Sequence, residues 1–134
     1  MTYVIGVALA VVIGLFAGAL GLDKERGFYP VVLIVIAFLY VLFAAIAGST
    51  SALVAEALPA LLFVTAAAIG FKKSLWIVVG GLALHGVFDF FHPGIIDNPG
   101  VPRWWPAFCL AYDIAAAAYL GVLIRMREVP VAAT

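Results

Sequence analysis

Apolar residues fill this chain in five long runs, covering residues 4–22, 31–48, 52–69, 75–91 and 105–124. Each is close to the roughly 20 residues that a helix needs to cross the hydrocarbon of a bilayer. The breaks between them are polar. Asp23-Lys24-Glu25-Arg26 closes the first run, and Lys72-Lys73 separates the third from the fourth. Ser49-Thr50-Ser51 divides the second from the third, and its hydroxyls suit a turn or a helix N-cap. From His92 to Arg103 the chain is too rich in proline and glycine for a helix. Four crossings would require residues 31–71 to form a single span, which is far too long. The pattern predicts an all-α integral membrane protein, one domain over residues 1–134, built as a bundle of five transmembrane helices.

Composition narrows the function classes. Of the 134 residues, 67% are hydrophobic and 10% charged, against about 25% charged in an ordinary soluble domain. A water-soluble enzyme is excluded. Seven bases balance seven acids, so no basic field exists to attract a nucleic-acid backbone. The single Cys109 cannot form an internal bridge.

The distribution of bases predicts sidedness. Lys24, Arg26, Lys72, Lys73, Arg125 and Arg127 fall on one side of a five-helix bundle, and Arg103 on the other. The positive-inside rule makes the first side cytoplasmic. The N-terminus is then outside and the C-terminus inside, in a multi-pass protein of an inner or plasma membrane. Tyr29 and Trp76 fall at the inner interface, and Tyr3, Trp104 and Trp105 at the outer one. With no basic segment ahead of it, the first run reads as a span and not a cleavable signal.

Gly6, Ala10, Gly14 and Gly18 recur at four-residue steps along the first helix. Such a stripe lets a second backbone approach closely. It serves either as a homodimer seam through Gly14 and Gly18 or as the packing face for another helix of the same chain.

Ionisable residues inside the spans carry the functional signal, because charge at membrane depth is costly and faces an interior or a cavity. Glu56 lies on the third helix, His85 and Asp89 on the fourth, and Asp113 on the fifth. At 1.5 Å per residue, Glu56, His85 and Asp113 lie about 7 to 12 Å below the outer rim. His85, Asp89 and His92 follow the pattern His-x-x-x-Asp-x-x-His. At 100° per residue they project within about 60° of one another. Two imidazoles and a carboxylate so placed form a candidate ligand set for zinc, iron or manganese. Glu56 and Asp113 are the candidate catalytic residues, as general base or further ligand. Glu56 has an alternative role as a protonated carboxyl bonded to a backbone carbonyl freed by Pro59. Cys109 precedes Asp113 by one turn and could join the group. In the following loop, Asp97 and Arg103 are candidates for substrate contact, on a lid or a tight connector.

The helix-four motif resembles that of ceramidase-type membrane hydrolases. The resemblance covers this motif alone, since five helices replace seven and no serine stands beside the cluster on the fourth helix. Three function classes are compatible with the cluster. One is a metal-dependent intramembrane hydrolase with a lipid or other apolar substrate. The second is a proton- or cation-coupled transporter or channel, and the third an accessory subunit of a larger membrane complex. Thr65 and Ser74 are nearly the only polar residues of the inner half, which disfavours a transport path.

Overall fold

In the computed structural model, which describes residues 1–132, the chain forms five α-helices and no strand among the described residues. They are α1 (Thr2–Leu20), α2 (Phe28–Ile46), α3 (Thr50–Lys72), α4 (Leu75–Ile95) and α5 (Trp105–Arg125). Each is long and apolar enough to cross a membrane, and together they fit a multi-pass membrane protein. Large apolar side chains such as Leu15, Val54, Leu84 and Phe90 point outward, the inverse of a water-soluble bundle.

Local chemistry sets the helix ends. Gly21 (φ 74°) and Gly48 (φ 65°) follow α1 and α2 in the left-handed conformation that glycine adopts without strain. The Ser49 side chain accepts from the Ala52 amide at 3.2 Å and caps α3, as its place in the sequence predicts. One boundary differs from expectation. The segment after residue 91 was expected to leave the helix, yet α4 runs on through Pro93 to Ile95. In the final turn, proline's missing N–H removes only one helical bond, and the Ile96 amide closes the turn on the His92 carbonyl at 3.0 Å. His92 therefore stays on the helix. Pro59 is likewise carried inside α3.

Helix α4 is central, packing on α5, α3 and α2, while α2 pairs with α3 and α1 packs chiefly on α5. The α1 stripe is used within the chain. Gly6, Ala10, Gly14 and Ala17 are its buried residues. A Cβ on Gly6 would run into the Phe108 carbonyl, and Gly14 faces the Tyr119 ring. A second close approach builds the site described below. A Cβ on Gly86 would lie 3.3 Å from both Asp113 Cβ and the Leu110 carbonyl, so α4 and α5 meet at that level. At one end of the bundle, Gly100 presses the 96–104 loop onto the Phe43 carbonyl at the end of α2. At the other, the short turn Leu22–Lys24 buries Asp23. These are the Asn98 end and the Asp23 end.

Candidate metal centre and its polar network

Five ionisable groups meet inside the bundle on three helices. Glu56, His85, Asp89, His92 and Asp113 are each at most 2% exposed. His85, Asp89 and Asp113 form one group, with ligand atoms all within 4.8 Å of one another. His85 Nδ1 lies 2.7 Å from Asp113 Oδ2 and 3.4 Å from Asp89 Oδ2. Phe63 sets its ring edge-on to His85, with centroids 4.7 Å apart, so the imidazole sits among aromatic rings and away from solvent.

The side chains that converge differ from the expected set of His85, Asp89 and His92. All three share the buried face of α4, but His92 turns to α3, where its Nε2 lies 2.7 Å from Glu56 Oε1. Asp113, expected as a catalytic group, takes the third place beside His85. The Asn98 side-chain amide donates to the same Glu56 oxygen at 2.8 Å. Glu56 is thus engaged by a histidine and an asparagine, not by a carbonyl freed near Pro59. Cys109 is buried but lies outside the three-residue group.

Tyr40 joins the two halves. Its hydroxyl donates to Asp89 Oδ1 at 2.7 Å, its ring stacks on His92, and its carbonyl accepts from Asn98 Nδ2 at 3.0 Å. The result is a file of polar groups: Asn98, Glu56, His92, Tyr40, Asp89, His85 and Asp113. Sequence reasoning missed Tyr40 and Asn98. A tyrosine inside the apolar run of α2, nearly two turns before the helix ends, is the signal that could have found the first. Asn98, in an Asp-Asn-Pro-Gly turn, carries no signal by itself.

Charge and hydrogen bonding in this file are incomplete. Three carboxyls face two imidazoles, with no lysine or arginine among the buried groups of the described residues. Asp89 Oδ2, Asp113 Oδ1 and Glu56 Oε2 have no hydrogen-bond partner, and a buried unpartnered acceptor costs about 1–3 kcal/mol. A proton on such an oxygen would remove charge but still lack an acceptor. A cation would answer both deficits for the two aspartates.

Asp97 and Arg103 are exposed. Both line a cavity of about 260 Å³ that His92 and Asn98 also line. The network thus has a small opening at the Asn98 end. Towards the Asp23 end it stops. Val78, Leu82, Ala116, Ala117 and Leu120 form a buried apolar layer. Beyond it, Asp23 Oδ2 accepts from Tyr119 at 3.0 Å.

Comparison with known families, curated proteins and solved structures gives no match.

Proposed function

We propose that this is an integral membrane enzyme with a divalent-metal centre held by His85, Asp89 and Asp113. It acts as a metal-dependent hydrolase on a lipid or other apolar substrate. The observation that carries the reading is the convergence of one imidazole and two carboxylates, all buried, each aspartate with one oxygen unpartnered. Mixed nitrogen and oxygen ligands suit zinc, iron or manganese. Three protein ligands leave a coordination position open, as in catalytic centres. When bound, the ion would supply Lewis acidity and an activated water. The Glu56–His92 pair is the proton-handling partner, since a carboxylate held against an imidazole can take up and return a proton. The cavity beside His92 admits the substrate's polar end, with Asp97 and Arg103 at its mouth.

In this reading the positive-inside rule assigns the Asp23 end to the cytoplasm and the Asn98 end to the outside, with the centre towards the outer leaflet. Elemental analysis of protein purified in chelator-free detergent tests the reading, beside His85→Ala and Asp113→Ala. Near-stoichiometric zinc, iron or manganese, absent from both variants, is the expected result and opens lipid-hydrolysis assays. A metal-free protein whose variants fold normally would sink it. The second reading is a proton relay, favoured by the hydrogen-bonded pairs Tyr40–Asp89, His85–Asp113 and His92–Glu56. The apolar layer below Asp113 argues against its continuing across the membrane.

A further inference from the structure

A cavity of about 700 Å³ opens at the Asp23 end, far from the polar network. Lys24, Glu25 and Arg26 are its charged lining, and Phe28, Val31 and Phe71 its main apolar one. It does not end there. A groove of about 220 Å³ continues from it between α2 and α3, sharing Gly27, Val31 and Phe71 and adding only apolar residues. A broadly open chamber at the helix ends, charged at three residues and otherwise mostly apolar, thus adjoins an apolar groove along the helix sides.

Arg26 is the informative residue. Its guanidinium donates to the carbonyls of Pro130 and Phe71 and lies 5.9 Å from the Phe71 ring centroid. Both hydrogen-bond acceptors are neutral. Among the described residues no carboxylate comes within ion-pair distance of Arg26, the acid–base pairs there being Lys24–Glu128 and the buried histidine contacts. Five guanidinium N–H groups are fixed in a planar fork, so two carbonyl contacts leave donors over. Lys24 is held only loosely, 3.6 Å from Glu128 at the exposed surface. Lys72 and Lys73 follow Phe71 directly and outweigh the one acid in the lining.

We propose that chamber and groove hold one anionic phospholipid, its phosphate against Arg26 and Lys24 and one acyl chain lying between α2 and α3. Basic pockets at the ends of transmembrane helices recognise such head groups. The groove gives the site its demand for a chain as well as a charge.

Native mass spectrometry of the full-length protein tests this, with phosphatidylglycerol and phosphatidylcholine of identical acyl chains. The wild type is expected to retain phosphatidylglycerol several-fold better. Removal of one surface cation weakens an anionic lipid about five-fold, and Arg26→Gln should lose about that much of the preference. Because Arg26 also tethers the 126–132 segment, a second variant leaves it in place. Val31→Trp fills the outward-facing groove and should lower retention of both lipids. Equal retention of the two lipids by the wild type would overturn the proposal, as would unchanged retention by Val31→Trp. Displacement of the lipid by millimolar inorganic phosphate would assign the chamber to free phosphate and overturn the lipid source.

Discussion

The ring of Tyr40 lies flat on the ring of His92, with centroids 3.9 Å apart and planes 16° from parallel. The same tyrosine spends its hydroxyl on Asp89, so a single side chain steadies both halves of the buried network. Tyr40→Phe keeps the stack and removes the donor, leaving Asp89 with neither oxygen bonded. A destabilisation of about 1–3 kcal/mol is expected, read as a lower melting temperature in detergent. Tyr40→Leu should lose about 0.5–1.5 kcal/mol more, the added value of a ring pair. Identical melting of Tyr40→Phe and wild type would show that the hydroxyl contributes nothing.

Asp113 and Glu56 are expected to separate cleanly in metal content. Asp113→Asn removes a ligand charge from the group that converges on His85, and bound metal should fall to background. Glu56→Gln alters the neighbouring His92 pair, which touches none of the three ligands, and should cost less than the roughly 10–100-fold lost when a partner bonded to a ligand is removed. Chelator titration of both variants, followed by elemental analysis, measures the difference. Loss of metal in Glu56→Gln alone would move the centre to the Glu56–His92 pair.

Two glycines of α1 should respond unequally to alanine. At Gly6 the added methyl meets the Phe108 backbone, which cannot step aside without moving α5. Overpacking of this kind costs about 1–3 kcal/mol. At Gly14 the neighbour is the Tyr119 ring at 3.3 Å, where a slight rotation gives room and the change should be small. Thermal melts of the two variants test the order. A larger loss at Gly14 would mean that the Tyr119 ring, tethered to Asp23 through its hydroxyl, cannot step aside.

Sidedness is open to labelling. In a Cys109→Ala background, a membrane-impermeant maleimide added to intact cells should modify Arg103→Cys and not Lys72→Cys. Reversal of that pattern would turn the molecule over and place the network in the inner leaflet.

Spans were legible because twenty apolar residues in a row have few other fates, and Ser49 announced its helix by capping chemistry alone. Three of the network's acids and imidazoles were legible as a group through depth: Glu56, His85 and Asp113 fall at similar depth once the spans are drawn, and Asp89 joined them through its spacing from His85. Their partners were not. The i, i+4, i+7 spacing puts His92 on the face of α4 shared with His85 and Asp89, but a shared face does not determine which neighbour each side chain meets. Tyr40 fills the space between Asp89 and His92, and α3 offers Glu56 to the latter. Asp23 was hidden for another reason. It belongs to a charged tetrad at a helix end, where solvation is the ordinary outcome, and only the fold of the Leu22–Lys24 turn brings it under Tyr119. His92 was kept on its helix by a proline placed late enough to do little harm.

The contact of α1 with α5 fixes an order of assembly. Three helices separate the two in the chain, so α1 is made well before the surface that receives Gly6, Ala10 and Gly14 exists. Until α5 inserts, the glycine face of α1 meets only lipid tails, which cannot reward close backbone approach. Asp113 arrives with that same helix. Seating of α1 and completion of the His85–Asp89–Asp113 group are thus one event late in biogenesis, and a chain interrupted before α5 lacks both.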